Sequence, residues 1–167
     1  MLLVVVRHAI AEDREEFAAS GQDDRLRPLT SAGARKMKRG ARGLRTLVPS
    51  IDVLAASPLV RAAETAEILR VAYELEHVVK VEVLSPDAPA AEVVGWLASL
   101  DQAAVVAVVG HEPQLGILLG ALIGAGDRSA VEMKKGAASL VEIEPSQKDP
   151  GRLIWALPPK VLRSLSG

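Results

Sequence analysis

Two short runs of consecutive apolar residues dominate the hydrophobic pattern of the chain. The first is Leu2–Val6 and the second is Ala103–Val109, and both are rich in valine. Uninterrupted aliphatic runs of this length predict strands buried on both faces, as in a parallel sheet. The first run ends at Arg7 and His8, and the second is followed after one glycine by His111. If the two strands are parallel neighbours, their carboxyl ends meet at one edge of the sheet and the imidazoles face one another.

The next pattern in the chain is that of an amphipathic helix over Ala32–Val48. Small and apolar residues recur there three or four positions apart, and basic residues occupy the opposite side, which we interpret as a solvated face. Thr30 is the expected N-cap, with Ser31 as the alternative. The segment before it, Ile10–Leu29, is polar and without an apolar period, so we predict a functional loop with a helical turn near Glu15–Ala19.

Turn residues and apolar spacing divide the rest of the chain into further elements. Ser57 is the expected N-cap and Pro58 the first residue of a helix that ends near Tyr73. The other predicted elements are strands at Ile51–Ala56 and Val78–Leu84, a turn at Ser85–Pro89, helices at Ala90–Leu100 and Pro113–Ile123, and strands at Ala137–Glu144 and Leu153–Leu157 joined by Pro145–Gly151. Pro158 and Pro159 end the last strand.

This alternation of strands and helices predicts a three-layer α/β fold. Its central sheet is expected to be mainly parallel with an antiparallel edge hairpin, and helices are expected on both faces. A chain of 167 residues most simply forms one domain, residues 1–167, and can bury about 70% of the surface that the unfolded chain exposes.

Composition excludes several classes of site and partner. The chain has no cysteine, so a disulfide framework, a thiolate nucleophile and a thiolate metal site are ruled out. Lys plus Arg total 20 against 21 acidic residues, which favours neither nucleic acid nor an anionic membrane as a partner. No run approaches the roughly 20 apolar residues of a membrane span, and the amino terminus lacks the basic region of a signal peptide. We therefore expect a cytoplasmic protein, a monomer or weak dimer.

Candidate chemistry gathers at the predicted strand ends. Two of the three histidines, His8 and His111, hold matching positions, whereas His77 lies in a polar turn and is expected to be exposed. Arg61 falls in the first turn of a helix, where a cation opposes the helix dipole unless an anion binds there. Arg7 would supply a second guanidinium for a phosphate, and Arg27 a possible third.

Phosphoryl transfer through a histidine nucleophile fits this set of residues best. Imidazole is largely neutral at pH 7 and so needs little activation. Arginines can neutralise the charge on the transferred group without a metal or another cofactor, and the second histidine can donate a hydrogen bond to the same oxygens. A metal site is disfavoured because the neighbours of the histidines are arginines.

In four motifs the chain resembles the histidine phosphatase superfamily, also called phosphoglycerate mutase-like, and within it the small SixA-type phosphohistidine phosphatases. The motifs are Val6-Arg7-His8-Ala9, Arg27-Pro28-Leu29-Thr30 with Gly33, Ser57-Pro58 with Arg61-Ala62 and Thr65-Ala66, and Val109-Gly110-His111-Glu112-Pro113. The resemblance implies a mixed sheet flanked by helices, and it implies His8 as the phosphorylated nucleophile. It also implies a phosphate pocket completed by Arg7, Arg61 and His111, with Arg27 as an extra contact.

The chain departs from the superfamily pattern at one position, and the resemblance does not identify the general acid. Ala9 stands where the superfamily usually has glycine, and we expect its methyl group to narrow the phosphate pocket. The general acid is open: Glu12, Asp24 and Glu112 are candidates, and each is more simply interpreted as a solvated carboxylate or an arginine partner.

The leading hypothesis is a metal-independent phosphatase that acts on phosphohistidine in a phosphoprotein. A phosphatase of a small phosphorylated metabolite is the nearest alternative. A non-catalytic phosphoprotein-binding module is a third, and the pair of His8 and His111 disfavours it, because binding alone needs no nucleophile.

Overall fold

The computed structural model describes residues 1–100, 103–126, 128–144 and 149–167, which form a six-stranded sheet between two layers of helices. The strands are β1 (Leu2–Arg7), β2 (Val53–Ala56), β3 (Val79–Lys80), β4 (Val105–Gly110), β5 (Ala138–Glu142) and β6 (Arg152–Leu157). The helices are α1 (Arg14–Ala19), α2 (Ser31–Leu47), α3 (Val60–Tyr73), α4 (Ala90–Ala98), α5 (Gln114–Leu122) and α6 (Pro159–Ser164), with 3₁₀ turns at Asp24–Leu26 and Glu82–Leu84.

The order of the strands is β3-β2-β4-β1-β5-β6, so the two valine-rich strands are neighbours. β1 pairs with β4 in parallel, and β2 and β3 continue the parallel part. β5 pairs antiparallel with β1 and with β6 and forms the edge hairpin. The predicted three-layer α/β fold, with a mainly parallel sheet and an antiparallel edge, is confirmed.

Successive side chains of the central strands point to opposite faces of the sheet and belong to two apolar clusters, one on each face. Val4 and Val6 of β1 point into the cluster that contains Met37, Ala41 and Leu44 of α2, together with side chains of α3 and α6. The other cluster holds apolar side chains of α4 and α5. Burial on both faces explains why β1 and β4 are continuous aliphatic runs.

Most of the predicted elements appear with small shifts at their ends. Thr30 is the N-cap of α2, as predicted, and its hydroxyl accepts a hydrogen bond from the Gly33 N–H. The predicted helical turn in the polar loop is α1, and His77 is exposed. The predicted turn Pro145–Gly151 includes residues 145–148, which lie outside the described part of the chain.

Two sequence predictions about element boundaries are wrong. The helix predicted from Ser57 begins at Val60, with Leu59 as N-cap, because the backbone of Leu59 is extended and not helical. The strand predicted over Val78–Leu84 is only Val79–Lys80, since the chain then turns into a 3₁₀ helix that buries Leu84.

Pro158 and Pro159 end the last strand, as predicted, and they also begin α6, a helix that the sequence pattern did not indicate. Proline is well tolerated at the first position of a helix because its missing N–H would have no partner there. Leu162 of α6 is buried in the cluster that contains the α2 side chains.

Among the described residues, no helix is long and apolar enough to cross a bilayer.

Gly33 explains one position of the motif that begins at Arg27. A Cβ at this position of α2 would lie 2.1 Å from the carbonyl oxygen of Ile10, which is backbone and cannot move aside cheaply. The glycine therefore allows α2 to pack closely on the chain that leaves β1 after His8.

We expect Gly33→Ala to destabilise the protein by about 1–3 kcal/mol, because the methyl group forces α2 and the Ile10 backbone apart. Gly40→Ala is the matched control in the same helix, since a Cβ there meets nothing within 4 Å. It should leave the free energy of unfolding unchanged or raise it by up to about 1 kcal/mol. Urea unfolding of both variants measures this, and equal stabilities would contradict the close packing at Gly33.

Candidate active site

His8 and His111 meet at the carboxyl edge of the two central strands. Arg7 is paired in register with Gly110, and the His8 N–H donates to the Gly110 carbonyl at 3.0 Å. The two imidazole ring centroids are 5.1 Å apart, with the ring planes tilted by 53°. They line a cavity of about 770 Å³ together with Arg7, Arg27 and Arg61. The expectation that the two histidines face one another is confirmed.

The hydrogen bond of His8 fixes which ring nitrogen is free. Its Nδ1 lies 2.7 Å from the carbonyl oxygen of Ala9. A carbonyl oxygen only accepts, so Nδ1 carries the hydrogen and the neutral ring keeps its lone pair on Nε2. His8 is thereby held in the tautomer whose Nε2 can act as a nucleophile.

His111 is 2% exposed, and its two nitrogens have different surroundings. Nε2 lies 2.9 Å from the Ser57 hydroxyl. Nδ1 is fully buried and has no hydrogen-bond partner among the described residues.

Arg7 and Arg61 each combine one anchored end with one free buried nitrogen. Arg7 donates from Nη1 to the Met133 carbonyl at 2.7 Å, and Arg61 donates from Nη1 to the Asp24 carbonyl at 2.8 Å. The Nε atoms of both side chains are buried without a partner in the described part of the chain. The first turn of α3 contains Arg61, as predicted.

Three residues that line one cavity therefore each contain a buried nitrogen without a partner in the described structure: Nε of Arg7, Nε of Arg61 and Nδ1 of His111. Leaving a buried donor unsatisfied costs about 1–3 kcal/mol, so such groups are rare unless a ligand satisfies them. Two of the three belong to cations, which suits an oxyanion. The arrangement is that of a receptor for a phosphoryl group beside the free Nε2 of His8.

Burial keeps both histidines neutral. The pKa of His8 is lowered to about 3, mainly by burial. The hydrogen bond to the Ala9 carbonyl raises this pKa, but the positive charges of Arg61, Arg7 and Lys135 act with burial and lower it. Burial likewise lowers the pKa of His111 to about 3, with His8 and the two arginines acting in the same direction. Both rings are therefore uncharged at neutral pH.

Asp24 lies between the arginines of the loop and of α3. Its carboxylate is 2.8 Å from Nε of Arg27 and 3.1 Å from Nη2 of Arg61. Burial raises the pKa of Asp24, but the hydrogen bond from Arg27 and the charges of Arg61 and Arg14 outweigh it and leave the pKa lowered. An ionised arginine partner is a poor proton donor, so Asp24 is disfavoured as the general acid.

Arg27 lines the cavity but is held by its own loop. Nε bonds to Asp24, and Nη1 donates to the Glu12 carbonyl at 2.7 Å. A contact of Arg27 with a bound oxyanion stays a prediction.

The two other candidate acids also line the cavity, in different states. Glu112 accepts a hydrogen bond from the Met133 N–H at 3.0 Å and so anchors the segment that carries the carbonyl bound by Arg7. Glu12 is exposed at the mouth. Of the three, Glu12 is the carboxylate for which no side-chain hydrogen bond or ion pair is recorded in the described structure.

The expectation about Ala9 is wrong. Its side chain is 2% exposed in the apolar cluster on the α2 side of the sheet and lines a separate cavity of about 180 Å³. The methyl group therefore does not narrow the phosphate pocket. A glycine is not required by the backbone either, since Glu74 is the only described non-glycine residue with positive φ.

Three residues of the site were not assigned these roles from the sequence. Thr65 accepts a hydrogen bond from the Ala9 N–H at 3.0 Å and so fixes the backbone next to His8. Ser57 contacts His111, and Lys135 lines the mouth of the cavity. The Gly136 N–H donates to the carbonyls of Arg7 and His8, which holds the Lys135 segment against the end of β1.

The family model of the histidine phosphatase superfamily, branch 1, matches residues 3–84. An uncharacterized protein of Picosynechococcus sp. strain PCC 7002 is 36% identical over 118 residues, which cover 70% of this chain and 69% of that protein. The structure of the protein histidine phosphatase SixA complexed with tungstate aligns over 97% of this chain and 99% of that chain, with a TM-score of 0.84 and 25% identity.

The chain belongs to the histidine phosphatase superfamily. Its SixA-type architecture, inferred from the four motifs, agrees with these comparisons. The alpha-ribazole phosphatase from Shigella flexneri is also similar in fold, with a TM-score of 0.74 and 19% identity over 93% of this chain and 96% of that chain. Phosphatases named for different substrates thus share this fold. Membership of the superfamily establishes that the chain is a phosphatase, but it does not identify the substrate.

The neutral buried histidines predict a dependence of stability on pH. An unfolded histidine has a pKa near 6.5, so between about pH 6.5 and 3 the unfolded chain binds more protons than the folded one. The free energy of unfolding should therefore fall as the pH falls through this window.

His8→Asn removes one of these groups and should make the slope shallower by up to about 1.4 kcal/mol per pH unit. The exposed His77→Asn variant is the control and should keep the wild-type slope. Urea unfolding at several pH values measures both. Equal slopes for His8→Asn and wild type would contradict a neutral, buried His8.

Proposed function

We propose that this protein is a metal-independent phosphatase that transfers a phosphoryl group to Nε2 of His8 and that its substrate is phosphohistidine in a phosphoprotein. The observation that carries the proposal is the set of three buried, unpartnered nitrogens in residues that line the same cavity as His8, whose Nε2 is free. A phosphoryl group is the common ligand that uses all of them and also offers a centre to attack.

In the first step, the Nε2 lone pair of His8 attacks phosphorus in line with the leaving group. A bond forms between Nε2 and phosphorus, the bond from phosphorus to the substrate breaks, and its electron pair leaves with the substrate nitrogen. Arg7 and Arg61 hold the equatorial oxygens, whose negative charge they neutralise. The hydrogen of His8 stays on Nδ1, and its hydrogen bond to the Ala9 carbonyl stabilises the positive charge that develops on the ring.

In the second step, water attacks the phosphorus of phospho-His8. The bond between Nε2 and phosphorus breaks, the pair returns to Nε2, and inorganic phosphate leaves with the oxygen of the water. The proton lost by the water goes to the phosphate or to solvent. Since the arginines supply the positive charge, neither step calls for a cofactor.

The state of the acidic residues favours a phosphoramidate over an alkyl phosphate. An alkoxide leaving group needs a proton donor, whereas an imidazole protonated on its other nitrogen leaves as a neutral base. Asp24 is an ionised partner of two arginines and Glu112 is engaged with the Met133 backbone. Glu12, the remaining candidate, is exposed.

The mouth of the cavity suits a group presented on a protein surface. Its rim carries the exposed residues Glu12, Asp13, Arg25, Asp87 and Lys135. A histidine side chain from a partner protein can reach inward past such a rim while the rest of the partner stays outside. The similarity to a structure described as a protein histidine phosphatase supports the same substrate class.

We expect kcat/KM for a phosphohistidine peptide to exceed the values for sugar and nucleotide monophosphates by at least about tenfold. The reason is that neither Asp24 nor Glu112 is free to protonate the leaving oxygen of an ester. Release of inorganic phosphate from a panel of such compounds measures this ratio. His8→Asn should abolish turnover of every compound in the panel, and the exposed His77→Asn variant should turn over each at the wild-type rate.

A preference for one small phosphate ester would contradict phosphohistidine as the substrate and would favour a metabolite phosphatase. Undiminished turnover by His8→Asn would contradict the nucleophile itself. Phosphopeptide binding without release of phosphate from any donor would instead indicate a binding module.

A further inference from the structure

Ser57 is a fully buried polar residue that directly follows β2 and contacts His111. Its backbone N–H donates to the Val109 carbonyl at 3.0 Å, which fixes its position at the end of β4. Its hydroxyl oxygen lies 2.9 Å from Nε2 of His111 and 3.3 Å from the backbone nitrogen of Leu59.

These two contacts favour one direction for the hydrogen bond between Ser57 and His111. The Leu59 N–H can only donate, so the Ser57 oxygen accepts from it. The hydroxyl hydrogen then needs an acceptor, and Nε2 of His111 is the one that the described contacts of Ser57 provide. If Nε2 accepts, the hydrogen of the neutral ring is on Nδ1.

With its hydrogen on Nδ1, His111 has a buried donor for which the described residues supply no acceptor. His111 lines the cavity, so an oxygen of a bound phosphoryl group would be the acceptor for this donor. His8 has its hydrogen on Nδ1 too, but there the hydrogen is used by the Ala9 carbonyl and Nε2 is left bare. One ring can thus attack phosphorus while the other donates to its oxygens.

We propose that Ser57 is a positioning residue that fixes the tautomer of His111, so that Nδ1–H donates to the transferred phosphoryl group. This inference rests on the proposed function for the identity of the ligand. The tautomer itself can be observed in the protein without any ligand.

Nitrogen NMR of the protein labelled with ¹⁵N-histidine tests the tautomer directly. In the wild type we expect the hydrogen of His111 on Nδ1, with assignment by comparison with His111→Gln. In Ser57→Ala we expect it to be on Nε2 or to exchange between the two nitrogens. A wild-type ring with its hydrogen on Nε2 would overturn the proposal whether or not any variant folds.

Kinetics provide the second readout. Ser57→Ala should lower kcat roughly tenfold or more, because a preorganised donor to the transition state is lost, and it should change KM less. Ser57→Thr retains the hydroxyl and should restore both the tautomer and most of kcat.

Ser139→Ala is the matched control, since Ser139 is a buried serine of β5 whose hydroxyl has no partner in the described structure. It should leave the tautomer and kcat unchanged. Wild-type kcat in Ser57→Ala, from a protein that forms phospho-His8, would overturn the role of Ser57 alone. If wild type forms no phospho-His8, the proposed function fails, and the NMR result still decides the tautomer.

Discussion

The parallel pairing of β1 with β4 is the constraint on which the site depends. Its register sets Val6 against Val109 and Arg7 against Gly110, and this places the two histidines side by side just beyond the strand ends. A slip of one residue would turn the side chains of a strand to the opposite face and separate the rings. Burial of both strands on both faces makes such a slip costly, so the core that stabilises the fold also sets the geometry of the site.

The second feature of the site is that its polar groups are incompletely satisfied. Each of Arg7, Arg61 and His111 is anchored at one end and leaves a buried nitrogen without a partner among the described residues. Burial of the histidines in their neutral form costs stability in acid. The stability of the rest of the fold offsets the free-energy cost of these buried groups. The result is a site that is preorganised for an oxyanion.

The sequence was informative where a residue type and its position act together. Valine-rich runs followed by histidine predict buried strands that end in reactive groups, and an arginine in the first turn of a helix indicates an anion site. Both predictions need local pattern only. The facing of the rings also needed the assumption that the strands are neighbours, which the sheet order confirms.

The features that were missed depend on contacts between distant parts of the chain. Ser57 has the local sequence of an N-cap and accepts a hydrogen bond from the Leu59 N–H, but its hydroxyl also contacts His111, 54 positions away. Thr65 contacts the Ala9 backbone 56 positions away, and Ala9 itself points into the core and not into the pocket. Periodicity and capping rules contain no information on such contacts, since tertiary packing alone decides them.

Phosphoryl transfer to His8 can be tested by capture of the phosphorylated enzyme. The protein is mixed with a phosphohistidine peptide labelled with ³²P, and the reaction is quenched with detergent at alkaline pH. The phosphorylated peptides of the protein are then identified by mass spectrometry. We expect a label that is lost in acid, that lies on His8 and that is absent from His8→Asn. A label on another residue, or turnover by the wild type with no label on His8, would contradict phosphoryl transfer to His8.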